Sequence, residues 1–152
     1  MTVYHEVSRA VGPDAQALRD QADRIRADRS AAVSVGREVA LDELRDTASD
    51  RQEANWDGYG APPVLIDSYI IARKVIMALP SFVPNPAVDV DTDGEVSLEW
   101  YEAPRRTFSI SISKDGEMHY AGLFGYNKVY GTEYFADVIP KPILDGILRT
   151  YR

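Results

Sequence analysis

The C-terminal part of the chain alternates apolar and polar residues in four short segments. AVDVD and EVSLEWYE are joined at Asp93-Gly94, and RTFSISIS and EMHYAGLF are joined at Asp115-Gly116. Asp-Gly between two alternating segments is typical of a tight hairpin turn. The pattern therefore predicts an antiparallel meander of about four strands with one buried face and one wet face. The buried face is predicted to hold Val96, Leu98, Trp100, Phe108, Ile110 and Ile112, and the wet face Ser109, Ser111, Ser113 and His119.

Helical periodicity is found on both sides of this meander. A helix is predicted over residues 67–79, with Asp67 as its cap and Pro80 as its stop. A last amphipathic helix is predicted over residues 142–151. We therefore expect an α+β fold, a two-layer sandwich in which both helices cover the apolar face of the sheet. The predicted buried sides are Ile70, Ile71, Val75, Ala78 and Leu79 in the first helix, and Pro142, Leu144, Ile147, Leu148 and Tyr151 in the second.

The first 52 residues are predicted to be a helical extension of an α+β domain that spans residues 53–152. Residues 14–53 contain no aromatic residue, and Gly36 is their single Gly or Pro. The β-branched segment that ends at Gly36 predicts a break between two helices. The apolar stripe of these helices is thin, so we expect them to lie along the domain or to contact a partner, including a second copy of the chain. The main apolar residues of the stripe are Leu18, Ile25, Val39, Leu41 and Leu44.

Composition and charge exclude several classes of protein. The chain has 152 residues, a net charge of −7 and no cysteine. An acidic balance argues against direct binding of nucleic acid, which usually needs a basic surface. Without cysteine, disulfide scaffolds, thiol nucleophiles and cysteine-based zinc sites are excluded. No apolar run is long enough to cross a membrane, and the first residues do not have the pattern of a leader, so we expect a cytoplasmic chain with no membrane partner.

One acidic run has the spacing of a calcium loop. The run Asp89-x-Asp91-x-Asp93-Gly94 resembles the opening of an EF-hand, in which alternate carboxylates surround a hard cation. Trp100 stands where the bidentate Glu of that loop belongs, and no helix is predicted before Asp89. We therefore predict no metal site, and keep calcium regulation through these three aspartates as a hypothesis.

No catalytic constellation is visible in the sequence. His119 could act as a general base on the wet face together with Glu99 and Tyr101. However, no recognisable spacing places a nucleophile or an orienting carboxylate beside it. We therefore predict no catalytic residue and no cofactor, and keep an enzyme with its site on the open sheet face as a less favoured alternative.

Tyrosines provide the clearest candidates for binding. The chain has nine tyrosines, and several lie in the polar and aromatic segment 126–135, which is predicted to be a long loop. Tyrosine is favoured at binding surfaces because it offers a large area, one polar tip and few rotamers to freeze. We predict Tyr126, Tyr130 and Tyr134 as binding residues. The competing interpretation is that these rings cap the edge of the core.

The run from Asn55 to Pro63, NWDGYGAPP, is too rich in turn residues for a helix or a central strand. Two interpretations remain open. The run is either a structural clasp that fixes the loop to the core or a rigid recognition surface. The residues assigned to the clasp are Asn55, Trp56 and Gly58, and those assigned to recognition are Asp57, Tyr59 and Gly60.

The same run, with Leu79-Pro80, Leu98-Glu99-Trp100 and Asp115-Gly116 further along, resembles a family of small bacterial and mobile-element proteins of uncharacterised activity that carry an "ENWDGYGA…LP…LEW…DG" pattern. The resemblance covers residues 53–152. It implies a neighbourhood of toxin–antitoxin or defence genes.

Together with the acidic balance and the tyrosines, this resemblance makes a non-enzymatic module that binds another protein with a basic surface our first hypothesis. The alternative is a phage-encoded, anti-CRISPR-like inhibitor of host immunity, whose acidic residues occupy a nucleic-acid-binding groove.

Overall fold

The computed structural model describes residues 13–152, with the side chains of the first helix described at 16–25, at 27 and from 36 onward. These residues form three helices and five strands. The chain divides into two compact units between Ser34 and Val35, and residues 35–152 form the unit that contains the sheet. The elements are α1 (Pro13–Asp50), α2 (Ile66–Ala78), β1 (Ala87–Val90), β2 (Val96–Ala103), β3 (Arg106–Ile112), β4 (Glu117–Phe124), β5 (Asn127–Tyr134) and α3 (Lys141–Thr150).

The sheet is a five-stranded antiparallel meander in the order β1-β2-β3-β4-β5. Its register places Leu98 opposite Ile110 and Trp100 opposite Phe108, and all four side chains are buried. The predicted α+β fold and the predicted faces of β2 and β3 are therefore confirmed. Ser113, predicted for the wet face, is instead buried just after β3, where its hydroxyl oxygen accepts the amides of Asp115 and Glu117. No helix in the part of the chain that the structure describes is long and apolar enough to span a membrane.

The segment 126–135 was predicted to be a loop, and this prediction is wrong because residues 127–134 form β5. Gly125, with φ of +65°, takes the first position of a two-residue turn, and Phe124 pairs with Asn127 across it. A positive φ at that position is what a tight hairpin turn requires. β5 is an edge strand whose residues are all exposed or half-buried, so its alternation of apolar and polar residues is weak.

Helices α2 and α3 also place small residues against the sheet, which the prediction did not include. Of the predicted residues, Val75 on α2, Leu79 just after it and Ile147 on α3 are buried, and Ile71 and Ala78 are half-buried. On α2, Ser68 and Ala72 are buried while Ile70 is exposed. On α3, a Cβ at Gly146 would lie 2.1 Å from Phe108, so only glycine lets the helix approach the sheet this closely. The residues buried on α3 are Ile143, Gly146, Ile147 and Thr150, whereas Leu144 and Leu148 are half-buried and Pro142 and Tyr151 are exposed.

The ends of α2 also differ from the prediction in detail. The N-cap is Leu65, which makes no side-chain cap hydrogen bond, and Asp67 lies inside the first turn. A carboxylate in that position still interacts favourably with the positive end of the helix dipole. The helix ends before Pro80, as predicted, with Leu79 as its C-cap.

α1 continues through Gly36, so the predicted break there is wrong. Gly36 has a different role: its carbonyl accepts a hydrogen bond from Asn85 Nδ2, and a Cβ at Gly36 would lie 3.2 Å from that atom. In the second unit, Ala40, Leu44 and Ala48 are buried in the core. The predicted boundary at residue 53 therefore falls inside this unit.

Arg37 attaches this part of α1 to the segment after α2. Its guanidinium donates to the carbonyl of Pro80 at 2.6 Å and to Asn85 Oδ1 at 2.6 Å. It also donates to the carbonyls of Leu79 and Val83. Burial lowers the pKa of Arg37 from its usual value. Carbonyls at the end of α2 suit a cation because the negative end of the helix dipole lies there.

Candidate functional site

The sheet face opposite α2 and α3 has a floor of small residues. Glu99, Ser109, Ala121 and Tyr130 form one row across strands β2 to β5. Two adjoining depressions of about 280 Å³ and about 370 Å³ share the first three of these residues. A concave surface of this size fits one or a few side chains of a partner. We call this surface the open face.

Large tyrosines flank the floor of the open face. Tyr130 is opposite Ala121 and is 83% exposed, and Tyr101, opposite Thr107 in the neighbouring row, is 58% exposed. Tyr134 lies over the β3–β4 turn, with its ring 3.4 Å from the position of a Cβ at Gly116. Rings that stand beside small residues expose both their faces and their polar tips. This arrangement is well suited to contact with a partner.

Carboxylates crowd the β1–β2 side of the open face. Ser111 Oγ donates to Asp91 Oδ2 at 2.6 Å and lies 3.4 Å from Glu95 Oε2. Partial burial raises the pKa of Glu95, and the charge of Asp93 raises it further. The carboxylates are therefore close enough to repel one another. A cationic group of a partner reduces this repulsion.

His119 is exposed on this face, as predicted, and its contacts are with residues other than Glu99 and Tyr101. Its Nδ1 lies 2.9 Å from Thr132 Oγ1, and its Nε2 lies 3.6 Å from a Glu117 carboxylate oxygen. Glu99 and Tyr101 are on β2, separated from His119 on β4 by the whole of β3. Within the described residues no hydrogen bond connects His119 to either of them.

The acidic run that resembles a calcium loop does not converge on one point. Asp91 accepts from Ser111, Asp89 lies 3.8 Å from Arg51 Nη2, and Asp93 accepts from the Glu95 amide at 3.0 Å. Among the residues that the structure describes, no group of three or more His, Asp or Glu side chains is placed to hold a metal ion. The hypothesis of calcium regulation therefore has no geometric support in this region.

The residues predicted for binding fall into two groups at opposite edges of the sheet. Tyr130 and Tyr134 share the open face beside β5, and Tyr126 lies in the β4–β5 turn, 93% exposed and 4.9 Å from the guanidinium of Arg105. The run 55–61 lies beside β1. Edge strands of a five-stranded sheet are about 19 Å apart at the usual spacing, so the structure does not bring the two groups together.

The run 55–61 is held by its own hydrogen bonds. Asn55 Oδ1 accepts from the Gly60 amide at 2.7 Å, and Trp56 Nε1 donates to the carbonyl of Pro62 at 2.8 Å. Asp57 Oδ1 accepts from the amides of Tyr59 and Ala61 at 2.8 and 3.0 Å. The backbone requires φ of +64° at Asn55, +77° at Gly58 and +92° at Gly60.

These contacts give the run the character of a clasp, with one exposed ring at its tip. Hydrogen bonds from Ala61 and then from Tyr59 lower the pKa of Asp57, so the carboxylate that was assigned to recognition is used inside the loop. The Arg51 guanidinium lies 4.6 Å from the ring centre of Trp56, which fixes the loop beside β1. Tyr59 is 95% exposed, so it remains available for contact.

Two features of the open face were not predicted from the sequence. The hydrogen bond between Ser111 and Asp91 joins residues on β3 and in the β1–β2 turn, and no local pattern predicts it. The second feature is that the even-numbered residues of β5 lie on the open face. This follows from the strand at 127–134, which was predicted to be a loop. The recurrence of Tyr130 and Tyr134 four residues apart was the available signal, since alternate residues of a strand share a face.

Comparisons with known proteins do not extend this picture. No protein-family model, curated protein or solved structure matches the chain. Function is therefore inferred from the residues of the open face and of its edges.

Proposed function

We propose that the protein is a non-enzymatic module that binds another protein, one with a basic surface, on the open face of its sheet. The observation that supports this proposal is the pair of exposed rings Tyr101 on β2 and Tyr130 on β5, because the two strands between them present the small residues Thr107, Ser109 and Ala121. Binding energy at protein interfaces is concentrated in a few aromatic anchors with nearly neutral contacts around them. The open face offers two such anchors around a depression.

The distribution of charge supports a basic partner. Residues 35–152 hold 12 Lys and Arg against 19 Asp and Glu, so the whole net charge of −7 lies in the unit with the sheet. Five carboxylates lie on or beside the open face, against the cations Lys128 and Arg51, of which Arg51 lies 3.8 Å from Asp89. Complementary charge speeds encounter and makes it sensitive to salt. These carboxylates are Asp89, Asp91, Glu95, Glu99 and Glu117.

The contacts of Ser111 argue against its activation as a nucleophile by His119. Ser111 donates its proton to Asp91 rather than to His119, which stands opposite it in the register. An activated hydroxyl needs a base within hydrogen-bond reach. The hydroxyl within reach of His119 is instead that of Thr132, at 2.9 Å.

The resemblance of residues 53–152 to bacterial mobile-element proteins suggests which partner to test first. A component of a toxin–antitoxin or defence system with a basic surface is the class we favour. If that surface is a nucleic-acid-binding groove, the chain acts as an inhibitor that competes with DNA or RNA.

The test is affinity capture from the native host with matched tyrosine variants. The unmodified chain is expected to retain a partner at stoichiometric level, with less retained as ionic strength rises. Tyr101→Ala and Tyr130→Ala should each weaken binding at least about tenfold. Tyr59→Ala and Tyr126→Ala are the controls, because both rings are over 90% exposed and both lie off the open face.

Equal loss of the partner in all four variants would contradict the proposal, as would the absence of a stoichiometric partner. Competition by DNA or RNA for the captured partner separates the inhibitor from an ordinary docking module. Release of the partner by nucleic acid supports the inhibitor, and retention supports docking elsewhere on the partner.

A further inference from the structure

The two edge strands of the sheet differ in how their outer backbone groups are used. β1 spans four residues, and the carboxylate of Glu43 on α1 accepts the amide of Val88 at 3.2 Å. β5 spans eight residues, and in the unit 35–152 it pairs with β4 alone. A long unpaired edge is a ready template for another strand. β5 is therefore the edge at which the sheet can grow.

The register of the β4–β5 hairpin shows which backbone groups are free. Phe124 and Asn127 flank the two-residue turn, and the Phe135 amide donates to the carbonyl of Gly116 at 3.0 Å. Hydrogen-bonded and non-hydrogen-bonded pairs alternate along an antiparallel ladder. The odd-numbered residues of β5 therefore direct their backbone groups at β4, and the even-numbered ones direct theirs outward. The outward residues are Lys128, Tyr130, Thr132 and Tyr134.

A cavity of about 210 Å³ lies beside this edge on the covered side of the sheet, between α3 and strands β4 and β5. Next to the cavity, the ring of Tyr120 covers Gly131, and its hydroxyl oxygen lies 2.5 Å from the position of a Cβ at that glycine. Asp145 and Arg149 of α3 are exposed charged residues of its lining. The remaining lining residues are Tyr120, Phe124, Val129, Pro142 and Gly146.

We propose that β5 and α3 form a groove that binds an extended segment of the partner as a sixth, antiparallel strand. In this mode of recognition, backbone hydrogen bonds to a sheet edge supply affinity, and pockets for alternate side chains supply specificity. The inference rests on the proposed function, because the exposed rings of Tyr130 and Tyr134 flank the position of the added strand on the open face.

The residues along the edge define the chemistry of that segment. A side chain opposite Val129 meets the cavity that this residue lines, and a side chain opposite Gly131 meets the ring of Tyr120. A side chain opposite Glu133 meets a carboxylate that has no ion-pair partner among the described residues. Odd positions form non-hydrogen-bonded pairs with the added strand, in which opposed side chains lie closest. The segment is therefore predicted to have the pattern basic-x-apolar-x-apolar, written from its N-terminus. Its basic residue agrees with the basic partner inferred above.

The probe is a display library of random nine-residue peptides, selected on the full chain. Enriched peptides should carry the basic-x-apolar-x-apolar pattern. Thr132→Pro should weaken their binding at least tenfold, because proline removes an outward amide that β4 does not use. Thr132→Val is the matched control, since it also loses the hydroxyl next to His119 but keeps the amide. Glu133→Lys should switch the selected charge from basic to acidic.

Amide hydrogen exchange distinguishes the addition of a strand at β5 from other modes of peptide binding. A bound peptide should slow exchange at Lys128, Tyr130, Thr132 and Tyr134 at least tenfold and leave the amides directed at β4 unchanged. The inference is overturned if no pattern is enriched, if Thr132→Pro binds as tightly as Thr132→Val, or if exchange at the edge is unaltered. It is also overturned if the edge becomes protected at high protein concentration without peptide, since the occupant is then a second copy.

The two proposals fail separately. If the Tyr101→Ala and Tyr130→Ala variants lose the host partner while Thr132→Pro retains it, the open face binds the partner and the added strand is wrong. If the open-face variants retain the partner and Thr132→Pro loses it, binding occurs at the β5 edge without the open face, and the proposed function fails as stated.

Discussion

The hydroxyl of Ser68 on α2 donates to the carbonyl of Ile112 on β3 at 2.6 Å. The same oxygen accepts the amide of Val96 on β2 at 2.8 Å. Val96 and Ile112 face each other in the register of the two strands, and all three residues are fully buried. One helix hydroxyl thus satisfies the two backbone groups where the β2–β3 ladder ends, and it fixes the distance between the helix and the sheet.

Replacing Ser68 by alanine should be costly, because it leaves a buried amide and a buried carbonyl without a partner. Each unsatisfied group costs about 1–3 kcal/mol, so Ser68→Ala should lower the free energy of unfolding by at least about 2 kcal/mol. Ser97→Ala on the open face is the control, with a change of about 0.5 kcal/mol or less. Urea denaturation measures both, and equal stability of the two variants would show that the backbone groups find each other instead.

Ser68 also shows which parts of the fold the sequence can predict. Alternation and Asp-Gly turns are local, so the four strands β1 to β4 could be predicted from the chain alone. In and just after α2, the burial of Val75 and Leu79 could also be predicted, but the burial of Ser68 and Ala72 and the exposure of Ile70 could not. Those features depend on helix–sheet distance, which hydrophobicity does not encode.

In the candidate site, too, only the features with a local signal in the sequence could be predicted. Tyr130 and Tyr134 were predicted as binding residues from composition, but their common face follows from a strand that was predicted to be a loop. An edge strand has partly exposed residues on both sides, so its hydrophobic period is weak. The contact between Ser111 and Asp91 and the cavity beside α3 depend on tertiary packing, which has no local signal in the sequence.

Truncation should separate the two units of the chain. Removing residues 1–34 leaves Arg37, Glu43 and Leu44 in place, so the remaining chain should unfold cooperatively at nearly the same temperature. Removing residues 1–52 also deletes the buried Leu44 side chain, which alone is worth about 2–5 kcal/mol. We expect the longer deletion to lose most of its stability, as measured by calorimetry, and equal melting of the two truncated chains would place the boundary at residue 53 after all.

The clasp should respond to acid through Asp57. Hydrogen bonds from the amides of Ala61 and Tyr59 lower the pKa of Asp57 below its usual value of 3.8 in the folded chain. Ionisation therefore favours the folded loop, and this contribution is complete above pH 3.8 and is lost as pH falls through the lowered pKa.

Asp57→Asn keeps an acceptor oxygen but removes the charge. The variant should therefore open its loop more readily than the unmodified chain at neutral pH, as measured by amide exchange at Tyr59 and Ala61. The difference should vanish in acid below the lowered pKa of Asp57. Asp115→Asn, in another exposed turn, is the control and should leave both amides unchanged. A difference between the Asp57 variant and the unmodified chain that persists in acid would mean that the carboxylate charge is not what holds the clasp.

Glu95 should show the opposite dependence on pH. Partial burial and the charges of Asp93 and Asp91 raise its pKa above the usual 4.5, against the hydrogen bond from Ser111. Protonation of Glu95 therefore favours the folded state, and the unmodified chain loses stability as pH rises from 4.5 through the raised pKa.

Glu95→Gln removes the repulsion, so it should unfold at a higher temperature than the unmodified chain at neutral pH and at the same temperature in acid below the usual pKa. Glu53→Gln, exposed and far from these aspartates, is the control and should match the unmodified chain throughout. A Glu95→Gln variant that melts at a lower temperature at neutral pH would show that the hydrogen bond from Ser111 outweighs the repulsion between the carboxylates. That repulsion would then no longer support a cationic partner for the open face.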